Sequence, residues 1–168
     1  MSFLEFEQSI TSTALKAVAR HWNDARCDRL MPDWTSIRPS AIAGQLSIVW
    51  SYRYDLSTDT FTGRLSGDQI DQIFGKNLRG VPMKDVYPPN EYPRLFARAK
   101  RVVAEPAFYR GDGMVFEHAA HFGLGERIMM PLSSDGVTSD GVVGATEYKA
   151  VRGNSSDLHA EAEFWFPL

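Results

Sequence analysis

Phe61-Thr-Gly-Arg-Leu-Ser-Gly-Asp-Gln-Ile-Asp-Gln-Ile-Phe-Gly-Lys-Asn-Leu-Arg-Gly80 carries more structural information than any other stretch of the chain. A short alternating strand enters a Gly67-Asp68 turn. A compact apolar helix with Ile70, Ile73 and Phe74 follows, and Gly75 and Gly80 punctuate its exit. A strand that hands over to tight helical turns at glycines suits a cupped wall, where backbone comes close to backbone or to a ligand.

Upstream of this wall, Leu46, Ile48, Trp50, Tyr52 and Tyr54 alternate with Ser47, Val49, Ser51 and Arg53, which predicts a strand with one buried face. Asp55 to Asp59 is a turn cluster, and Thr60 to Leu65 completes an antiparallel hairpin. Downstream, Val81-Pro82 and Tyr87-Pro88-Pro89 bound a short turn. Glu91 to Ala104 then reads as a helix with Leu95, Phe96, Ala99, Val102 and Val103 on one face. Strands are predicted at Ala107–Arg110 and Met114–Phe116 around a Gly111-Asp112-Gly113 turn. Further strands are predicted at Arg127–Leu132, where Pro131 implies an edge position or a bulge, and at Gly141–Tyr148.

The two ends have their own character. Ile10, Ala14, Ala17, Val18, His21, Trp22 and Ala25 recur at helical spacing, predicting one helix over Glu7 to Leu30 with Ser9, Thr11 or Ser12 as its cap. Met31-Pro32 and Arg38-Pro39 break the chain after it. The closing Glu163-Phe-Trp-Phe-Pro-Leu168 is too apolar for a free tail and is expected to dock. The division this suggests is residues 1–45 as a helical extension, 46–150 as the main domain and 151–168 as a docking segment.

Composition narrows the function. The chain has 168 residues, 43% of them hydrophobic and 12% aromatic, enough for one well-buried core. A net charge of -3 argues against nucleic acid as a partner, because phosphate binding needs a basic footprint. The lone Cys27 leaves neither an intramolecular disulfide nor a multi-cysteine zinc site. The acidic start lacks the basic and apolar regions of a signal peptide, and no apolar run is long enough to span a membrane, so a cytoplasmic location is expected.

Helix, two strands, short helices, a longer helix and three further strands make an α+β layout with the helices gathered on one side of a sheet. This order resembles a PAS domain. It is similar to the bacterial PAS family whose members begin with a tryptophan-bearing helix before a proline break. Here Trp22, Arg26, Leu30-Met-Pro-Asp-Trp34 and Ile37-Arg-Pro-Ser40 lead to Leu46. Arg64-Leu-Ser-Gly67, Phe74-Gly75 and Gly80 supply the Arg-Leu-x-Gly, Phe-Gly and Gly pattern, and Met130-Pro131-Leu132 precedes a glycine-led strand. The resemblance spans Trp22 to Lys149. It implies an antiparallel five-stranded sheet with helices on one side and an N-terminal helical extension. It also implies a sensory or regulatory role rather than an enzymatic one, exercised through a small molecule, a protein partner or both.

In related modules a cavity between the sheet and the long helix holds haem, flavin or a small metabolite. The long helix here has no histidine, and the helices between the second strand and the long helix have no cysteine, so neither the haem-ligand nor the flavin-adduct pattern is present and the cofactor stays unassigned. The pocket candidates are Trp50, Tyr52, Phe61, Arg64, Phe74, Phe96, Phe108, Met130 and Thr146, lining either an apolar pocket with a few polar groups or a filled core. A homodimer through the two terminal segments is expected, because both have apolar residues to bury.

Other constellations compete with this reading. Glu117-His118-Ala-Ala-His121 offers two imidazoles, but residues three apart on a strand face opposite ways and no third ligand is suitably spaced, so solvated histidines are expected. Arg94, Arg98 and Arg101 form a basic stripe, which predicts a solvated helix face or, more sharply, an acidic partner surface. A ketosteroid isomerase-like cone enzyme would need Asp68, Asp71, Glu117 or His121 as a buried base pointing into a pocket. A ligand-free structural adaptor would have the same fold with a filled core.

Overall fold

Six antiparallel strands form one sheet in the order β2-β1-β5-β4-β3-β6 in the computed structural model, which describes residues 2–118, 121–153 and 158–168. The elements are α1 (Ser2–Ser9), α2 (Thr13–Arg26), β1 (Val49–Asp55), β2 (Thr60–Ser66), α3 (Asp68–Phe74), α4 (Tyr92–Ala104), β3 (Ala107–His118), β4 (His121–Leu132), β5 (Gly141–Val151) and β6 (Ala162–Pro167). The α+β class holds. The strand count rises from the expected five to six because the closing apolar segment docks as β6 along β3.

Period-two alternation gives each strand two working faces. On β5, Val142 turns to one face while Val143 and Ala145 turn to the other. Helices α3 and α4 cover the first face with Ile70, Ala99, Val102 and Val103, packed on Trp50, Tyr52, Phe61 and Tyr109. The N-terminal extension covers the second, where Phe6, Leu15, Val18 and Trp22 pack on Phe108, Ile128, Met130 and Val143. The sheet is therefore covered by helices on both faces, with the extension opposite α3 and α4.

The single helix expected over Glu7 to Leu30 is two helices broken at Ile10–Ser12. Ser12 caps α2 by accepting from the Leu15 N–H at 3.1 Å. The N–H groups of Thr11 and Ser12 leave the helical pattern to donate to the Glu126 carboxylate at 3.0 and 2.8 Å. A tertiary acceptor thus overrides a continuous helical periodicity. Strand β1 begins at Val49 rather than Leu46, because a 3-10 run occupies Pro39–Ile48 after the Arg38-Pro39 break.

The stretch Phe61–Gly80 folds as its glycines require. Gly67 is the residue before α3, and a Cβ there would collide with the backbone of Leu46 and Ser47. Gly75 closes the helix at φ 67°, in the left-handed region. Pro131, in contrast, sits in an inner strand. The β3–β4 ladder has ended at Tyr109↔Met129, so the missing N–H of Pro131 deprives no β3 partner, and its carbonyl accepts from Trp22 Nε1 at 2.8 Å.

Candidate functional site

Six of the nine pocket candidates share the face covered by α3 and α4: Trp50, Tyr52, Phe61, Phe74, Phe96 and Thr146. Their alternate positions on β1 and β5 bring Trp50 and Thr146 together, and the indole Nε1 donates to Thr146 Oγ1 at 3.0 Å. The aromatic rings close the space between sheet and helices. Phe61 meets Tyr54 at 4.7 Å and Phe96 at 5.7 Å, and Phe74 meets Phe116 at 5.8 Å. What is left is a void of about 10 Å³ bordered by Trp50, Tyr52, Phe74, Tyr87, Arg127 and Thr146, the room of one water.

The Tyr52 hydroxyl is buried there without a hydrogen-bond partner among the described residues. Burial, reinforced by the neighbouring Tyr87, pushes its pKa well above the ordinary tyrosine value, so it is a neutral donor aimed into a nearly filled cavity. Removing the acceptor of the Trp50 indole N–H should be felt. Thr146→Val is expected to cost about 1–3 kcal/mol by stranding the buried indole N–H. Thermal melts should show a fall of several degrees, with Thr146→Ser staying near wild type.

The other three candidates lie elsewhere. Phe108 and Met130 point to the opposite face, into the core under α1 and α2, because each is one strand position out of phase with its pocket-facing neighbour Tyr109 or Met129. Arg64 is the extra residue of a β-bulge, where Ser51 pairs with Leu65 and Tyr52 with Gly63. Its guanidinium stacks over Trp34 at 5.1 Å, away from the void.

A second constellation, at the edge of the same face, escaped the sequence reading. Arg98 on α4, Tyr109 on β3 and Arg127 on β4 converge on Glu161, which immediately precedes β6. The Glu161 carboxylate accepts from Arg98 Nη1 at 3.1 Å and from the Tyr109 hydroxyl at 2.9 Å, and Arg127 Nε lies 3.5 Å away. Glu163 takes the other side of the Arg98 fork at 2.6 Å. Burial works against the charge on Arg98, yet Glu161, Tyr109 and Glu163 outweigh it and hold its pKa above the usual arginine value. Burial also raises the Tyr109 pKa far above normal, the nearby Glu161 charge adding to it, so Tyr109 stays a donor.

This arrangement corrects two expectations. The arginine stripe on α4 is solvated only in part: Arg94 and Arg101 are exposed, the latter stacking on Trp165 of β6 at 4.1 Å, but Arg98 between them is 4% exposed. An acidic surface does meet it, supplied by the chain's own Glu161 and Glu163. Gly111-Asp112-Gly113 is not a turn but lies inside β3, where a Cβ on Gly111 would fall on the Glu161 carboxylate and the Tyr109 hydroxyl. These glycines serve close approach. The signal in the sequence was the Glu161-x-Glu163 alternation just before Phe164-Trp165-Phe166, two carboxylates on one face of an apolar strand, and both close on Arg98.

The remaining candidates do not assemble. His118 and His121 are cross-strand partners at the end of the β3–β4 hairpin, so they sit opposite one another instead of facing apart. Glu126 is committed to Thr11, Ser12 and Arg110 on the other face, and no cluster of three or more metal-ligating side chains occurs among the described residues. Asp68, Glu117 and His121 are exposed, and Asp71 is engaged by Ser66 and Asn77. None of these four borders the void beside Tyr52, and Glu117 alone borders a neighbouring one at the sheet edge.

Strand order, the short helix α3 and long helix α4 on one face and the aromatic space beneath them define a small antiparallel α+β module. The PAS domain family model matches residues 10–147, most of the chain, and the protein belongs to this family, whose members are commonly sensory or regulatory. No curated protein and no solved structure matches it. Among the described residues, no helix is long and apolar enough to cross a membrane.

Proposed function

We propose that this PAS domain is a regulatory module that binds a small ligand on the face under α4 and passes its state to a protein partner, first of all a second copy of itself, through its two terminal segments. It works by binding rather than by catalysis. In this reading residues 46–150 respond, and residues 1–45 and 151–168 transmit.

The observation that carries this reading is the placement of β6. Its alternating side chains enter both cores: Trp165 packs on Tyr109 at 4.9 Å on the α4 face, and Phe166 packs on Phe6 of α1 at 5.7 Å on the other. One strand therefore feels both the ligand-side helices and the N-terminal extension. The apolar residues first assigned to a dimer interface are largely covered within the chain, Phe6 and Trp22 being fully buried. Others on the same segments are not: Leu4, Leu30 and Phe164 are 56%, 49% and 43% exposed. Together with the outer edge of β6, unpaired among the described residues, they supply an apolar, edge-strand surface suited to a like surface.

Light scattering at tens of micromolar should give a mass twice the 18.9 kDa of the chain. A clean monomer at that concentration would remove the homodimer from the proposal. Phe164→Glu should shift the wild-type dimer toward monomer while leaving the melting temperature of the protomer core unchanged.

A further inference from the structure

Two buried guanidinium groups inside the family-matched region have their carboxylate delivered from outside it. Arg98, Tyr109 and Arg127 lie within residues 10–147, and Glu161 does not. The side chains of Arg98 and Arg127 are 3% and 6% exposed, and that of Glu161 is 2% exposed. Burying two arginines is costly, and a packed apolar cluster would serve stability as well or better, so the arrangement needs a reason beyond folding.

The cradle is built for a carboxylate. Gly111 leaves open the volume that the Glu161 carboxyl group fills, and Gly113, at φ 123°, lets the backbone of His159 and Ala160 lie against β3. Arg127 is held in place by an Nη2 bond to the Val115 carbonyl, while its Nε, buried and facing Glu161, makes no hydrogen bond among the described residues. A void of about 40 Å³ adjoins the carboxylate; Arg94, His118 and Arg127 border it, and so do Glu91, Glu117 and Glu161. The segment that supplies Glu161 leads directly into an edge strand, the kind of element that can leave a sheet without breaking its interior ladders.

We propose that Arg98, Tyr109 and Arg127 form a binding site for a short aliphatic carboxylate, and that Glu161 is a tethered stand-in which such a ligand displaces, releasing β6 from the sheet edge. The Glu161 side chain beyond its Cα is chemically a propionate, which sets the size of the ligand. Arg94 borders the adjoining void together with Glu91 and Glu117, whose charges offset its own, so a second carboxylate gains little there and propionate is the fitting probe, with succinate as the longer comparison. The inference rests on reading the domain as ligand-responsive and names the ligand class. It is independent of oligomeric state.

The test is hydrogen exchange of the full chain, read on peptides covering residues 158–168, during titration with sodium propionate or succinate against sodium chloride at matched ionic strength. In wild type the carboxylates, and not chloride, should accelerate exchange of the β6 amides with a saturable dependence. Glu161→Gln, which neutralises the internal competitor while keeping its shape, should bind propionate about tenfold more tightly, because less of the protein is held in the occupied state. A ligand that bound elsewhere would be indifferent to that substitution. No carboxylate-specific change in wild type, or an affinity unaltered in Glu161→Gln, overturns the proposal. A carboxylate response in a protein that light scattering shows to be monomeric supports the site and rejects only the dimer.

Discussion

Glu126→Gln is expected to lower the melting temperature by about 10 °C, the equivalent of about 3 kcal/mol in a chain of this length. Glu126 sits on β4 with its side chain 8% exposed, facing the break between α1 and α2. One oxygen accepts from the Thr11 N–H and from Arg110 Nε, and the other accepts from the Ser12 N–H. A glutamine has only one acceptor oxygen. With its oxygen kept toward Thr11 and Arg110, its amide NH2 would face the Ser12 N–H across a short contact, and Arg110 would lose its buried counter-charge, keeping the partly exposed Asp112 at 2.7 Å and the Thr11 hydroxyl at 3.3 Å. The loss therefore combines an unpaired donor with an under-compensated buried guanidinium.

The same carboxylate predicts the sign of a pH effect. Burial acts to raise the Glu126 pKa, but hydrogen bonds from Thr11, Arg110 and Ser12 outweigh it and hold the value below the usual glutamate range. A group whose pKa is depressed on folding contributes stability above its unfolded pKa and loses it as pH falls through its folded pKa. The gap in melting temperature between wild type and Glu126→Gln should thus be constant near neutral pH and narrow below about pH 4. Melts of both proteins across that range decide it: a gap that persists undiminished in acid means the effect is steric.

The parts of the fold that the sequence made legible are those set by neighbours along the chain. The alternation from Trp50 to Tyr54, the Gly67 and Gly75 boundaries of α3 and the apolar face of α4 all depend on local periodicity and backbone freedom, and each appears within a few residues of its expected place. The break at Ile10–Ser12 does not, because it is made by a carboxylate more than a hundred residues away. The Gly111-Asp112-Gly113 triplet illustrates the same limit. Local chemistry suggests a turn, whereas the reason for glycine is the Glu161 carboxylate that arrives from another segment.

Site residues were legible by type but not by face. Aromatic positions on β1 and β5 could be phased from their own strands, and Trp50, Tyr52 and Thr146 do share the α4 side. Phe108 and Met130 sit in strands with apolar residues on both faces, where period two gives no direction. A two-faced sheet was itself hidden, because nothing local to the N-terminal helices says which surface they cover. The buried charges were hidden more deeply still: an arginine on an amphipathic helix reads as solvent-facing until its counter-ion is placed in space.

Trp22→Ala is the substitution expected to be most damaging, at about 3–5 kcal/mol and a fall of about 10–15 °C in melting temperature. Trp22 on α2 is 1% exposed. Its indole meets Phe108 of β3 edge-on at 5.0 Å and stacks with Phe3 of α1 at 6.3 Å, so one side chain ties both N-terminal helices to the sheet. The ring also anchors β4 through the Nε1 bond to the Pro131 carbonyl. Truncation leaves a large cavity between elements already fixed by other contacts, which limits how far they can close around it. Trp22→Phe keeps an aromatic ring and loses the hydrogen bond, and should cost about 1–2 kcal/mol. Because α1 has only eight residues and little helical stability of its own, the alanine variant should also lose exchange protection across Ser2–Ser9 before the sheet does. If Ser2–Ser9 stays protected in Trp22→Ala while the melting temperature falls, Phe6 and its contacts with Phe108 and Phe166 hold α1 without the tryptophan, and the coupling between the extension and the sheet runs through β6 instead.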